Sequence, residues 1–286
     1  MRQLGRTNEL SLATVTMSDA RAEAGRAKFL TVGCNRCHNN AGANAGFGGG
    51  GNRNFNTGVE SARNPALAAF PRDGGFLTPP ANPDGSFGDR TFNTPPLIEA
   101  ADTGPFFHTA TSITGASAHN TETATTIEEA IAFYDSPAFN TSPAGRAGAI
   151  DLTDTEIDDI GRFLRGVNAT FNTAQAVKRL QAAAALVTKY GNSKLAMQRE
   201  MLRLADVELQ DAINDLTTIP AGTPDLDPDA LSQLYSTCSM IGDARSTGSS
   251  RVRAQAIANA ITVLTTASGQ IGSNLTYQIG DATVMF

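Results

Sequence analysis

The chain has 286 residues, 41% of them apolar and 17% charged, with 22 basic against 28 acidic side chains and a formal net charge of −6. That length is about two domains' worth, the apolar share is enough to bury a core, and an acidic balance with no densely basic segment sets nucleic acid aside as a partner. No run approaches the roughly eighteen apolar residues of a membrane span, and Met1 to Arg6 leads into polar residues without the apolar stretch of a signal peptide.

The charge deficit falls on lysine, with 4 Lys against 18 Arg, and Thr, Asn, Ala and Gly fill the space. A polar but weakly charged surface suits a periplasmic or extracellular protein. Met1 to Met17 shows no period and reads as a leader or linker (residues 1–17). Ser18 then caps a helix from Asp19 to about Val32 that ends at Gly33. Residues 39–120 hold Gly48 to Gly51, Pro79-Pro80 and Pro95-Pro96 among many Asn and Thr. Few regular elements fit there, and a loop region of that length needs an organiser other than a hydrocarbon core. A large buried cofactor would serve.

Helical signals return at Thr126-Ile127-Glu128-Glu129, a capping box that opens a helix through about Tyr134. Thr153 to Glu156 repeats the device, and the helix after it carries Ile157, Ile160, Leu164 and Val167 on one face. From Phe171 the composition turns Ala-rich, with four helices predicted near 173–190, 193–218, 228–243 and 250–267. The second of these places Leu195, Leu202, Leu209 and Leu216 at seven-residue spacing, with Ala205 and Ala212 between them, which makes a narrow packing seam. Asp227-Pro228 opens the third helix as N-cap and first turn. Leu231, Leu234, Tyr235 and Cys238 form its apolar face, with Cys238 a buried core thiol. Residues 171–286 therefore read as a helical bundle with no assignable chemistry.

Three cysteines, Cys34, Cys37 and Cys238, cannot make a disulfide framework. Two of them stand in Cys34-Asn35-Arg36-Cys37-His38, the attachment signature of c-type haem. Two thiols one turn apart reach the two vinyl groups on one porphyrin edge, and the next residue aims its imidazole at the iron. Cys34 and Cys37 are thus the covalent attachment points of one haem c, and His38 its proximal ligand. A thioredoxin-like pair needs a βαβ setting that is not visible here, and a structural zinc needs four ligands where further His and Cys are hard to find. No Met lies between residues 18 and 196, so the sixth iron position falls to His108, His119 or Tyr134. Each has a plainer reading: His119 a solvated loop residue, Tyr134 a core residue, and His108, after Phe106-Phe107, a partner for a haem propionate.

Several segments resemble a family. Gly25 to Phe29 is similar to the helix that opens cytochrome c domains, and Phe55-Asn56-Thr57-Gly58-Val59 resembles a segment of bacterial di-haem cytochrome c peroxidases and their MauG-like relatives. Thr94-Pro95-Pro96-Leu97, then Thr103 to His108, Thr126 to Tyr134, and Leu152 to Leu164 resemble further motifs of that family in order and spacing. The resemblance covers residues 18–168, the family's C-terminal, electron-accepting haem domain. It implies a mainly α fold: a cytochrome c-like haem domain with long Gly/Pro/Asn-rich loops (18–170), followed by the bundle. By position it makes Tyr134 the distal iron ligand, a place filled by Met in the peroxidases and Tyr in the MauG-like branch. It also implies a calcium bound by the carbonyls of Thr103 and Pro105.

The departures shape the functional reading. The family carries a second haem in an N-terminal domain, and this chain has one Cys-x-x-Cys-His. Leu97-Ile98-Glu99 stands for Leu-Arg-Asn, and Thr109-Ala110 for Asp-Gly. The expectation is a single-haem electron-transfer domain whose partner is a small cytochrome or a cupredoxin. A peroxidase or peroxide-dependent oxidase, completed by a second haem domain or subunit, is the alternative. A helical binding module with a structural haem is a third reading.

Overall fold

The computed structural model describes residues 14–38, 54–62, 89–107, 124–218 and 224–275. Among these the chain is mainly helical, with seven α-helices and four two-residue strands. Two compact units divide it, one containing Arg21–Leu164 and the other Val15–Ala20 with Arg165–Leu275.

In the first unit, α1 (Ala20–Thr31) buries Ala22, Gly25 and Phe29 at helical spacing. That stripe meets the opening turns of α4 (Asp154–Tyr190), where Ile157, Ile160, Phe163 and Leu164 are buried. Phe29 packs edge-on against Phe163 with ring centroids 5.7 Å apart. Arg21 Nε lies 2.6 Å from Asp159 Oδ1, and Lys28 Nζ 2.7 Å from Glu156 Oε1, so charged pairs flank the apolar contact. Gly33 ends the α1 region at φ +83°, a conformation that glycine adopts without steric cost.

The expected capping box is present at α2 (Ile127–Asp135): the Glu129 amide donates to Thr126 Oγ1, and Glu129 Oε2 accepts from the Thr126 amide. The second box is present at α4, with Thr153 and Glu156 in the same roles. A short α3 (Pro137–Asn140) follows α2, with Ser136 at its N-cap. Between α1 and α2 the described segments hold 3-10 turns and one ribbon, in which β2 (Asn54–Phe55) pairs antiparallel with β3 (Phe92–Asn93).

In the second unit, the rest of α4 meets α5 (Leu195–Thr217) through Asn172–Asp215 and Arg179–Glu208, α5 packs on α6 (Pro228–Ser246), and α6 on α7 (Ser250–Ile271). The heptad seam is as expected at Leu202, Ala205, Leu209, Ala212 and Leu216, all fully buried, while Leu195 at the helix start is half-buried. A ribbon of β1 (Thr16–Met17) and β4 (Gly272–Ser273) closes the unit, and the Ser18 amide donates to Ile271 O at 3.0 Å. Residues 15–20 therefore belong to the helical unit, where the sequence suggested part of a linker.

Two further expectations change. The helices expected on either side of residue 170 are one 37-residue helix, and the unit boundary falls inside it after Leu164. Asn168-Ala169-Thr170-Phe171-Asn172-Thr173 looks like a break because Asn and Thr compete for backbone hydrogen bonds. Here the helix absorbs them: Thr170 Oγ1 donates to Gly166 O, and Thr173 Oγ1 to Ala169 O at 2.7 Å. Asn172 Nδ2 donates across to Asp215 Oδ2 on α5.

The buried face of α6 is Ala230, Leu231, Leu234, Thr237, Ile241 and Ala244. Tyr235 is exposed and Cys238 only half-buried, because the packed stripe passes one position to their side. Thr237 tolerates full burial by donating its hydroxyl to Gln233 O within the helix. Cys238 Sγ instead accepts from Gln210 Nε2 on α5 at 3.1 Å.

Candidate functional site

The Cys-x-x-Cys-His segment begins one residue after Gly33. The left-handed glycine turns the chain out of α1 into a 3-10 turn, Cys34–Arg36. The amides of Cys37 and His38 both donate to Cys34 O, at 3.2 and 3.0 Å. This single tight turn brings the two thiols to one side and carries His38 inward. Cys34 and Cys37 are free thiols and half-buried.

His38 is 9% exposed, and its Nδ1 lies 3.2 Å from Pro95 O. The tautomer that donates from Nδ1 leaves the Nε2 lone pair for a metal, the orientation that metal-ligating histidines adopt through a carbonyl partner. Burial pushes the imidazole pKa down to about 4, opposed in part by the Pro95 bond, so the ring is neutral at neutral pH. Neutral imidazole is the form that ligates iron. Pro95 carries this bond on its carbonyl, a role that side-chain motifs do not reveal. Its signal in the sequence was the Thr94-Pro95-Pro96-Leu97 segment, in which Thr94 and Leu97 are buried anchors.

Tyr134, at the end of α2, faces the same turn. Burial pushes its hydroxyl pKa up, and the nearby Cys34 and Cys37 add to the effect. The residue nevertheless keeps partial accessibility. Its ring packs edge-on against Phe133 at 5.4 Å and Phe139 at 5.0 Å, and Phe107 closes on Phe133 at 4.8 Å. These aromatic contacts fix the direction of the phenol. Phe133 beside it is fully buried.

The structure therefore brings Cys34, Cys37, His38 and Tyr134 together. His108 and His119 lie outside the described residues. Thr103 and Pro105 sit in an exposed loop, where the Thr103 hydroxyl donates to Ala100 O at 3.0 Å and the Phe106 amide to Ala124 O at 2.8 Å.

The residues present fit a thioether-linked macrocycle in two respects: two half-buried thiols stand one turn apart, and the imidazole is held by its Nδ1 on Pro95 O. A dithiol redox pair would need at least one thiol with a lowered pKa, and here burial pushes Cys34 up to about 12 and raises Cys37 as well. Among the described residues no group of three His, Cys, Asp or Glu side chains is placed to hold a metal ion by itself, and no helix is long and apolar enough to cross a membrane. No family model, curated protein or solved structure matches the chain.

Proposed function

We propose that the unit containing Arg21–Leu164 is a c-type haem electron-transfer domain. It would correspond to the electron-accepting domain of the di-haem cytochrome c peroxidase and MauG-like family, and act in the periplasm or outside the cell. The observation that carries the proposal is the buried His38 imidazole, held by Pro95 O, directly after two half-buried free thiols in a single turn.

In this reading Cys34 and Cys37 would hold the haem through thioether bonds, and His38 would offer Nε2 to its iron. When bound, the haem supplies a one-electron Fe(III)/Fe(II) couple. Tyr134 faces the site from the end of α2, placed by the Thr126–Glu129 box at the helix start and by Phe133 and Phe139 around its ring. As an anionic oxygen ligand, its phenolate would favour the ferric state. Phe133 and Phe139 pack on the Tyr134 ring and Phe107 on Phe133, an apolar cluster beside the phenol.

The test is a haem stain. The chain is expressed with an export signal and the haem-attachment machinery, and a denaturing gel is stained for covalent haem. The wild-type band stains, and Cys34→Ala with Cys37→Ala abolishes the stain. An unstained wild type, or stain retained in the double variant, refutes the proposal.

A further inference from the structure

The haem-attachment turn carries a charge pattern that the proposal above does not use. The three cations of α1 are each matched: Arg21 by Asp159, Arg26 by Glu23 and Lys28 by Glu156. Arg36, between the two cysteines, is exposed and forms no ion pair among the described residues. Its side chain folds back over Gly33, where a Cβ would come 2.7 Å from Nε, and reaches Gly148, where a Cβ would stand 3.0 Å from Nη1. Two residues before Gly148 lies Arg146, also exposed, with Nε donating to Thr141 O at 2.7 Å and no carboxylate partner among the described residues. Both guanidiniums keep free N–H groups. Around them Asn35, Ala147, Gly148 and Ala149 are exposed, small and uncharged.

Among the described residues the result is a spot of small side chains with two cations that no carboxylate pairs, next to the cysteines, on a chain whose net charge is −6. At physiological salt the Debye length is about 8 Å. A partner in contact therefore reads these two local charges, with the exposed Asp151 two residues beyond Ala149 at the rim, and hardly senses the more distant acidic ones. Guanidiniums pair carboxylates with directed hydrogen bonds, and such rim charges set the orientation and rate of docking more than its strength.

We propose that Asn35-Arg36 together with Arg146 to Ala149 is the docking face for a redox protein that presents carboxylates around its own electron-transfer edge. The inference rests on the haem reading, because only a redox centre at Cys34 and Cys37 gives this face an electron to pass. Docking there places the partner over the attachment turn. One electron then moves from the reduced partner to ferric iron, so that the partner's metal loses one electron and the iron gains it, with no proton or bond change required.

The test uses the ferric holoprotein and two probes, an acidic cupredoxin and a basic small cytochrome, both in the oxidised form. Binding is followed by calorimetry at about 0.15 M and about 1 M salt, where the Debye length falls to about 3 Å. The variant is Arg36→Gln with Arg146→Gln, whose haem stain and absorption spectrum are expected to match wild type. At the lower salt the variant binds the acidic cupredoxin about three- to tenfold more weakly, the range that two exposed ion pairs supply. At the higher salt the two proteins become equal. Reduction by the reduced cupredoxin slows in parallel, while reduction by the small cation hexaammineruthenium(II) does not slow. Equal binding of the acidic cupredoxin by variant and wild type at the lower salt overturns the inference, as does binding of the basic cytochrome alone. A wild type that carries no covalent haem would instead refute the electron-transfer reading itself.

Discussion

The carbonyl oxygen of Asp159 occupies the place where any residue but glycine at position 25 would carry its side chain: a Cβ on Gly25 would come within 1.8 Å of it. Backbone of α1 and backbone of α4 are therefore in direct contact at their crossing. The Phe29–Phe163 pair stands one turn further along α1, and the attachment turn begins just beyond the helix end. The position of Cys34 thus depends on how closely the two helices approach.

Gly25→Ala is expected to lower the stability of this unit by about 3 kcal/mol, the upper part of the range for overpacked sites. The contact is with backbone, so no flexible side chain can yield. Denaturant unfolding followed by circular dichroism measures the effect, with Ala24→Ser as a neighbouring control that leaves the crossing untouched. An unchanged midpoint in Gly25→Ala would show that the helices can separate at no cost.

Glu156 links the α4 cap to α1. Its carboxylate accepts from Lys28 Nζ at 2.7 Å and from the Thr153 amide at 2.9 Å, and these two bonds hold its pKa below the ordinary carboxylate value. A depressed folded-state pKa means stability that is present above the unfolded value and lost as pH falls through the folded one. The side chain is one-third exposed, so solvent screening reduces the gain. Glu156→Gln should cost about 0.5–1 kcal/mol at neutral pH, most of it from the cap and the ion pair. The difference from wild type should shrink below pH 4.5, the ordinary value, where wild-type Glu156 also becomes neutral. Melting curves at pH 7 and pH 3 check the sign: a gap that widens in acid would contradict it.

Local chemistry was readable in the sequence wherever the signal was a side chain acting on its own neighbourhood. Both capping boxes, the Gly33 stop and the Leu202–Leu216 seam could be read because each is fixed by residue type at short spacing. The Cys34-Asn35-Arg36-Cys37-His38 segment stands out for the same reason, and the structure adds that its His38 is buried on Pro95 O. What could not be read was whatever depended on a partner distant in the chain. Pro95 contributes a carbonyl, which every residue has, so its bond to His38 leaves no trace in residue type. Asn168 to Thr173 looked like a break because the burial that suits their polar groups comes from α5, over forty positions away in the case of Asp215. Tyr235 and Cys238 were placed inside on hydrophobicity, yet the packed stripe of α6 takes the polar Thr237 between them.

Arg253 is a buried cation with no carboxylate partner among the described residues. It is fully buried on α7, and its guanidinium donates to Ala244 O at 3.2 Å, Thr247 O at 2.6 Å and Gln198 Oε1 at 3.0 Å. Gln198 Nε2 passes the connection on to Gly191 O and Ser193 O, at 3.0 and 2.9 Å. One pair of side chains thereby ties the α4–α5 turn to the α6–α7 turn. Arg253→Met should destabilise the helical unit by about 3 kcal/mol, because three buried acceptors lose their donor together. Gln198→Met should cost about 2 kcal/mol and leave a buried cation short of an acceptor. The double variant should be less damaging than the sum of the two, since each change removes a partner that the other would have stranded. Denaturant midpoints of the four proteins give the coupling energy, and strict additivity would mean that the two side chains act separately.

Tyr134 ends α2, the two thiols bear on its hydroxyl, and it keeps partial exposure where Phe133 has none. Without a metal, burial and the neighbouring thiols disfavour the phenolate, which pushes the pKa up. If the phenol is the sixth ligand of a bound ferric iron, this reverses, because a cation at ligand distance stabilises the deprotonated oxygen far more than burial penalises it. The holoprotein should therefore show a phenolate-to-iron charge-transfer band and a phenolate mode in resonance Raman scattering. Both should vanish in Tyr134→Phe. The reduction potential should rise in the variant, because removing an anionic ligand weakens the ferric state. The rise is expected to be a fraction of the roughly 0.8 V that axial ligation spans. Haem stain in Tyr134→Phe should equal that of wild type, since attachment depends on Cys34 and Cys37 alone. If the ferric spectrum of Tyr134→Phe matches wild type while that of His108→Ala differs, the sixth ligand is His108, and Tyr134 serves only in the packing of Phe133 and Phe139.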